Sequence, residues 1–153
     1  MTCHMALAPT CSCSTMYVVW SDCLRAADTC SQFGRYGVNS QISTFAYDPV
    51  QSLLAVGTNE SQFGPGVVYI FGQKRVCVTL RPPRRASIKE IQFCADKLVV
   101  LDNKNDITIF SLETRRQVAN YAPPGHVTCI LTDPSLDYCF TGLSNGAFNT
   151  SPI

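Results

Sequence analysis

The sequence predicts an all-β protein assembled from small antiparallel sheets that stack one on the next. From residue 37 on, short apolar and β-branched runs alternate with turn residues, and no amphipathic helix longer than two turns is apparent. The runs repeat, since strands of the same pattern begin at Ile42, Ile88 and Val127, 46 and 39 residues apart. Four strands in roughly 40–45 residues are typical of a WD40-like blade. The predicted fold is therefore an incomplete WD40-like β-propeller of about two and a half blades.

Each predicted blade follows the same order of strands and turns. The predicted strands are residues 42–47, 52–57, 67–71 and 75–80 in the first blade, 88–93, 97–101, 107–110 and 117–121 in the second, and 127–132 and 136–142 in the third. An Asp-Pro pair, which favours turn initiation, ends the first strand of the first and third blades at Asp48 and Asp133. The third strands also match, with Val-Tyr-Ile-Phe in one blade and Ile-Thr-Ile-Phe in the next.

This pattern divides the chain into three predicted segments. Residues 1–36 form an irregular leader, expected to be poorly ordered, in which residues 16–20 are a short strand candidate without an evident partner. Residues 37–146 form the partial propeller, and residues 147–153 form a tail outside the blade pattern. Because a ring needs at least about four blades, we expect a fragment or truncated product whose open blade faces favour self-association.

Composition excludes several classes of protein. The 153 residues are 46% hydrophobic and 15% charged, which excludes wholesale disorder. The net charge of +1 argues against a nucleic-acid partner, which would need a basic surface. The longest apolar run is far shorter than the roughly 20 residues of a transmembrane helix. No convincing signal peptide is present at the start, so we expect a cytoplasmic protein.

The nine cysteines do not follow the pattern of a disulfide framework or of a metal site. Four of them occur singly in strand-like apolar runs, where we expect reduced, buried packing residues: Cys77, Cys94, Cys129 and Cys139. The leader brings together a second group, Cys3, His4, Cys11 and Cys13, but it lacks the CxxC pairs typical of zinc sites. No metal site is predicted.

Enzyme chemistry finds little support in the sequence. No Gly-rich phosphate loop, nucleophile elbow or zinc-binding helix occurs. Of the two histidines, His126 directly precedes a first strand, where a capping or packing role is expected. Asp102 and Asp106 flank Asn-Lys-Asn, which predicts a tight turn with local Asx hydrogen bonds. Neither catalytic residues nor a cofactor are predicted.

A basic cluster between the first two predicted blades is the candidate site. We predict that it contacts an acidic partner or anionic lipid through Arg81, Arg84, Arg85 and Lys89. The alternative is a solvated loop whose charges keep strand edges from pairing. The run Arg-Arg-Ala-Ser ending at Ser87 has the form favoured by basophilic Ser/Thr kinases, which makes Ser87 a candidate phosphorylation site.

Three segments resemble one protein family. They are Tyr-Gly-Val and Ile-Ser-Thr-Phe-Ala-Tyr-Asp-Pro-Val-Gln-Ser-Leu-Leu-Ala-Val-Gly-Thr within residues 36–58, Gly-Val-Val-Tyr-Ile-Phe-Gly-Gln at 66–73, and Phe-Thr-Gly-Leu-Ser-Asn-Gly at 140–146. They are similar to the N-terminal propeller of the lethal giant larvae/tomosyn family, especially its fungal members. The resemblance covers about residues 34–146, and neither residues 1–33 nor residues 147–153 match the family.

The resemblance implies a large cytoplasmic protein with two consecutive WD40 propellers. It implies t-SNARE partners of the SNAP-25 and syntaxin kinds, Rab GTPases, and a role in polarised exocytosis and cell polarity, with peripheral association at the plasma membrane. Alternatives are a generic WD40 scaffold of another pathway, a truncated product without independent function, and an enzyme or enzyme subunit. The last would need a convergent set of titratable groups in a pocket.

Overall fold

The computed structural model describes residues 17–20, 34–72, 75–133, 135 and 137–153. All regular structure in these residues is β, in thirteen strands: β1 Tyr17–Trp20, β2 Gly34–Gly37, β3 Ile42–Asp48, β4 Leu53–Thr58, β5 Val68–Gly72, β6 Arg75–Leu80, β7 Ile88–Cys94, β8 Lys97–Asp102, β9 Ile107–Ser111, β10 Arg116–Tyr121, β11 Val127–Asp133, β12 Tyr138–Leu143 and β13 Phe148–Pro152. Every predicted strand from residue 42 on is present, within about two residues of its predicted bounds. Among the described residues, no helix is long and apolar enough to span a membrane.

The chain divides into two compact units, Met1–Gln41 and Ile42–Ile153. The first contains β1 and β2, which pair antiparallel with Tyr17 opposite Gly37 and Trp20 opposite Gly34. The strand candidate in the leader therefore has a partner, which the sequence did not reveal. The rest of the predicted leader, residues 1–16 and 21–33, lies outside the described residues.

The second unit consists of three antiparallel sheets in which consecutive strands are neighbours. The first sheet is β3-β4-β5-β6, the second is β7-β8-β9-β10, and the third is β11-β12-β13. This order confirms the prediction of two stacked four-stranded blades over residues 42–121. The sheets do not close a ring, and the all-β, blade-like architecture agrees with the predicted fold class.

The third sheet departs from expectation after Gly146. Residues 147–153 were expected to lie outside the blade pattern, yet β13 pairs with β12 along its length, with Phe148 opposite Gly142 and Pro152 opposite Tyr138. The turn explains this hairpin, because Gly146 adopts φ +84° and donates its N–H to the Leu143 carbonyl at 3.1 Å.

A β-bulge lies at the start of the first strand of all three sheets. The register shifts between Ile42 and Thr44, between Ile88 and Glu90, and between Val127 and Cys129. Because successive side chains point to opposite faces, an extra residue changes which face each later residue occupies. The repeat of strands predicted from the sequence therefore includes a β-bulge at the same position in each of the three copies.

The cores lie between the sheets. The first joins buried residues of the first and second sheets: Ala55, Val68, Ile70, Leu80, Ile88, Ile91, Leu98, Val100 and Phe110. The next joins the opposite face of the second sheet to the third: Val99, Leu101, Ile107, Ile109, Val127, Ile130, Cys139 and Leu143. The two inner strands of the second sheet are thus buried on both faces, as expected for an internal blade.

The prediction of four buried cysteines is correct for Cys94 and Cys139 and wrong for Cys129. All three are free thiols, but Cys129 is exposed. The bulge after Val127 places it opposite Gly142, on the face of the third sheet that points away from the second. The side chain of Cys77 lies outside the described part of the chain.

Candidate functional site

The basic cluster lies in the segment that connects the first sheet to the second. This basic linker, residues 81–87, follows β6 and leads into β7. Its arginines are exposed, while Pro82 and Ala86 are buried, Ala86 to 1% exposure. The β4–β5 loop and the β8–β9 loop lie at the same end of the sheets as the basic linker. This follows because every second connection of an antiparallel sheet lies at the same end of its strands. Three connections therefore meet around the linker.

Arg84 forms an ion pair with a buried aspartate of the second sheet. Its guanidinium Nη1 lies 2.7 Å from Asp106 Oδ2, and the Arg84 side chain is 64% exposed whereas that of Asp106 is 4% exposed. Asp106 also donates its backbone N–H to Asp102 Oδ1 at 2.8 Å. Because the carboxylate of Asp106 is buried, removal of Arg84 would leave it without this charge partner.

Arg85 binds the loop that follows β4. Its Nη2 donates to the carbonyls of Ser61 at 2.7 Å and Gln62 at 3.3 Å. Its own carbonyl accepts a hydrogen bond from Lys104 Nζ of the β8–β9 loop. Arg85 thus joins loops of both sheets, although its side chain stays exposed to solvent.

Ser87 uses its hydroxyl and both backbone groups in the same junction. Its Oγ accepts the N–H of Glu60 at 2.9 Å. Its N–H donates to Asn103 Oδ1 at 3.1 Å, and its carbonyl accepts the Asn103 N–H at 2.9 Å. Gly66 donates its N–H to the neighbouring Ala86 carbonyl at 2.9 Å. Ser87 is consequently half-buried between the first and second sheets.

The remaining two predicted residues behave differently. Lys89 reaches the third sheet, where Nζ donates to the Val127 carbonyl at 2.6 Å. Arg81 is exposed, and no hydrogen bond or ion pair from its side chain is found within the described residues. The structure therefore brings Arg84, Arg85 and Ser87 into one network and separates Lys89 and Arg81 from it.

The tight turn predicted around Asp102 is confirmed. Asp102 Oδ1 accepts the backbone N–H of Lys104 at 2.9 Å as well as that of Asp106. Asn105, in the left-handed region with φ 72°, extends the turn to the third sheet by bonding the Val127 N–H and the Gly125 carbonyl. Sequence reasoning treated this turn and the basic linker as separate features, and no local signal joins Asp106 to Arg84 across 22 residues.

The other chemistry-bearing residues do not converge. His126 has an exposed side chain, rather than a packed one, and its carbonyl accepts the Ser144 N–H at 2.9 Å. Within the described part of the chain, no three His, Cys, Asp or Glu residues come together as a metal site would require. Cys3, His4, Cys11 and Cys13 lie outside the described residues.

A cleft of about 310 Å³ lies at the opposite edge of the first two sheets. Its lining is mostly apolar and includes three charged residues; the lining residues are Gln51, Leu53, Ile70, Val78, Asp96, Leu112, Glu113 and Arg115. Gln51, one of the lining residues, donates Nε2 to the Ala95 carbonyl at 2.6 Å and so joins the β3–β4 turn to the β7–β8 turn. The cleft contains no histidine or cysteine, which are common nucleophiles and general bases.

Burial raises the pKa of three groups that lie away from the basic linker. Burial raises the pKa of Tyr121 to about 12. Burial also raises the pKa of the Cys94 and Cys139 thiols above their ordinary value. A thiol acts as a nucleophile in its thiolate form, so these shifts make both cysteines less reactive.

Comparison with known proteins places the sequence among fungal relatives. It is 34% identical over 113 residues to the Lethal(2) giant larvae protein homolog SRO77 of Saccharomyces cerevisiae, covering 73% of this chain and 11% of that protein. It is 30% identical over 117 residues to an uncharacterized protein of Schizosaccharomyces pombe, covering 74% of this chain and 11% of that protein. The chain thus spans about a tenth of the length of these relatives. No family model matches the sequence.

Solved structures with little sequence identity share the fold. The computationally designed Ika4 protein superposes with a TM-score of 0.67 at 14% identity, covering 100% of this chain and 99% of that one. A chain of the Mitotic Checkpoint Complex superposes with a TM-score of 0.66 at 16% identity, covering 93% of this chain and 47% of that one. At such identities the likeness shows the fold alone, which is propeller-like.

Proposed function

The chain belongs to the lethal giant larvae family, and from this membership we propose that it is a non-catalytic scaffold in polarised exocytosis. The proposed partners are t-SNAREs of the SNAP-25 and syntaxin kinds and Rab GTPases. The proposed location is cytoplasmic, with peripheral association at the plasma membrane. The similarity to the yeast homologue is the observation that carries the proposal.

The use made of polar atoms in the candidate site supports a scaffold. Arg84, Arg85, Ser87 and Lys89 all bond to groups of other strands or loops, and most of these groups belong to the backbone. Such contacts hold the sheets together and present a fixed surface. General acid–base chemistry would instead need a titratable pair within reach of a substrate.

The exposed side of the basic linker is the proposed contact for an acidic partner. Arg81 projects from the linker, and Arg84 keeps 64% of its side-chain surface exposed while it pairs with Asp106. Two guanidinium groups three residues apart suit the carboxylates of an acidic helix, because guanidinium binds carboxylate through two parallel hydrogen bonds. Lys89 has its ammonium on the Val127 carbonyl, so its proposed contribution is to hold the surface.

Binding of the 153-residue chain to immobilised SNAP-25-type and syntaxin-type cytosolic domains tests this proposal. The critical variant is Arg81→Glu, which reverses an exposed charge without breaking an intrachain contact. The matched control is Arg116→Glu, which makes the same change on exposed strand β10. We expect Arg81→Glu to weaken binding by about tenfold at low salt, and Arg116→Glu to weaken it much less.

Two outcomes would overturn parts of the proposal. If the wild-type chain binds neither domain, a scaffold of another pathway or a product without independent function becomes the better explanation. If it binds and both variants bind equally well, the partner is correct but the basic linker is not its contact. A parallel assay on vesicles containing anionic lipid tests the lipid alternative. Binding to these vesicles, without binding to either SNARE domain, would exclude a SNARE as the partner of this surface.

A further inference from the structure

We propose that Ser87 is a phosphorylation site that accepts phosphate in an opened form of the basic linker, and that the phosphate then keeps the linker open. The proposal does not depend on the SNARE or Rab partners. Its basis is that the kinase motif and the contacts between the first and second sheets use the same atoms.

The chemical step is transfer of the γ-phosphoryl group of ATP by a protein kinase. The Ser87 Oγ–P bond forms, the bond between the γ-phosphorus and the bridging oxygen of ADP breaks, and the hydroxyl proton passes to the kinase base. Kinases of the basophilic class select arginine two and three residues before the serine. Here Arg85 and Arg84 occupy those positions.

In the folded linker each of these groups makes an intrachain contact. Arg84 is held by Asp106 at 2.7 Å, and Arg85 by the Ser61 carbonyl at 2.7 Å. The Ser87 hydroxyl accepts the Glu60 N–H, and its backbone N–H and carbonyl both bond Asn103. A kinase needs an extended substrate whose arginines and hydroxyl face its active site. The linker must therefore separate from the β4–β5 and β8–β9 loops before it is phosphorylated.

The packing around the linker makes that departure a discrete event. A Cβ on Gly66 would lie 2.6 Å from the carbonyl oxygens of Ala86 and Thr58, so the backbone of the linker is in close contact with the first sheet. Little space exists for a gradual shift, and opening breaks the Gly66, Glu60 and Asn103 hydrogen bonds together. This segment is accordingly closed or open as a unit.

Phosphate prevents return to the closed form in two ways. First, the closed form places the Glu60 amide 2.9 Å from Ser87 Oγ, and a half-buried serine leaves little room for a phosphate with a charge of −1.5 to −2. Second, Arg84 then has a nearer and more highly charged acceptor than Asp106, because phosphate and guanidinium bind through charge-assisted hydrogen bonds. Loss of Arg84 leaves Asp106 buried and without this ion pair.

Phosphorylation of the complete chain by a basophilic Ser/Thr kinase, followed by mass spectrometry of the Ser87 peptide, tests the proposal. A synthetic peptide of residues 81–91 gives the rate for a fully open linker. We expect the chain to react at least about tenfold more slowly than the peptide, since opening breaks several hydrogen bonds. Asp106→Asn should accelerate the reaction of the chain about tenfold by releasing Arg84.

Two variants serve as controls. Ser87→Ala should abolish incorporation into this peptide, and Asp96→Asn, which neutralises an exposed aspartate in the β7–β8 turn, should leave the rate unchanged. If the peptide is not phosphorylated, or if the chain reacts as fast as the peptide, the proposal is wrong. If Asp106→Asn unfolds the chain, amide exchange of phosphorylated wild-type protein decides the matter.

Amide exchange reports on the closed contacts directly. The Glu60 and Asn103 amides both donate to Ser87, so phosphorylation should increase their exchange rates by about tenfold or more while amides of β11 and β12 stay protected. Unchanged protection of these two amides in the phosphorylated chain would show that phosphate does not hold the linker open.

Discussion

Two glycines at equivalent positions of the first and third sheets allow the packing between sheets to be measured. Gly57 in β4 and Gly142 in β12 each pair with the residue that follows a β-bulge, Thr44 and Cys129 respectively. A Cβ on Gly57 would lie 2.8 Å from Thr44 Cγ2, and one on Gly142 would lie 2.8 Å from Cys129 Sγ. Within their own sheets, the two sites are closely matched.

They differ in what the next sheet contributes. The Cβ at residue 57 would also lie 2.7 Å from Ile88 Cγ2 and 2.9 Å from Ile91 Cδ1. Both isoleucines are at most 2% exposed. Around Gly142 the contacting thiol belongs to exposed Cys129, which can rotate into solvent. The Gly57→Ala substitution therefore overpacks a core, whereas Gly142→Ala does not.

We expect Gly57→Ala to lower the free energy of unfolding by about 1–2 kcal/mol. Overpacking of a core costs about 1–3 kcal/mol, and three side-chain atoms within 3.0 Å of the new Cβ favour the upper half of that range. The preference of a strand for alanine over glycine offsets about 0.5–1 kcal/mol of this loss. Gly142→Ala should be neutral or stabilising by up to about 0.5 kcal/mol. Thermal unfolding followed by circular dichroism should show a decrease of about 2–8 °C for the first substitution.

The double substitution Gly57→Ala with Ile91→Val identifies the source of the effect. Valine removes Cδ1, so the pair should lose less stability than the sum of the two single substitutions, by at least about 0.5 kcal/mol. Equal stability of Gly57→Ala and wild type, or a larger loss for Gly142→Ala, would refute the equivalence of the two sites and the close packing of the first two sheets.

Three further predictions concern thiols, a tyrosine and a turn. In the native chain, a thiol reagent followed by peptide mapping should label Cys129 rapidly and spare Cys94 and Cys139, because burial protects both and raises the pKa of each. The pKa of Tyr121 is about 12 in the folded chain, above its unfolded value. Its contribution to stability is therefore complete below pH 10 and is lost as the pH rises toward 12. Tyr121→Phe should remove this part of the pH dependence of stability, as measured by urea unfolding. Asn105→Gly should lower the free energy of unfolding by about 1–2 kcal/mol, because two hydrogen bonds are lost. Asn105→Ala should lower it by about 1 kcal/mol more, because alanine is strained at φ 72°. Equal losses of stability for the two variants would contradict the assignment of strain.

Strands were predictable because their signal is local. Alternation of apolar residues, with turn residues between the runs, is encoded within each segment of five to seven residues, so β3 to β12 were located from sequence. β13 was missed because Asn, Thr and Ser dominate it and only its pairing with β12 makes it a strand. The partner of β1 was missed for the same reason, since pairing between distant segments leaves no mark on either.

Faces and contacts were less predictable than strands. The single extra residue at the bulge after Val127 places Cys129 on the surface rather than in the core. The apolar run around it contains no sequence feature that predicts this shift. The basic linker was recognised as a charged cluster, but its arginines were expected to be free for partners. Burial of Asp106 in another turn gives Arg84 an intrachain partner, and that proximity arises only when the second sheet folds.

The outer face of the third sheet argues for self-association of the chain. Phe148 occupies the position of Val68 and Ile107 in the first two sheets, both 0% exposed, but is itself 73% exposed. Leu131 and Tyr138 on the same face are 63% and 42% exposed. A second copy is the occupant that we expect on this face, because an identical face would cover these exposed apolar side chains with its own. We therefore expect a reversible dimer in which these faces meet.

The strength of that dimer follows from its area. Three large side chains from each copy, at on the order of 100 Å² each, give about 600 Å² and about 15 kcal/mol before costs. Association costs of about 4–15 kcal/mol leave a net binding free energy of about 0–11 kcal/mol, which corresponds to a dissociation constant of about 10 nM or weaker. Sedimentation velocity over a hundredfold range of concentration should show this equilibrium for the wild type and a monomer for Phe148→Asn. Phe63→Asn removes a phenylalanine that is 91% exposed in the β4–β5 loop and should still dimerise. A wild-type monomer throughout, or an equal effect of both substitutions, would show that this face does not bind a second copy.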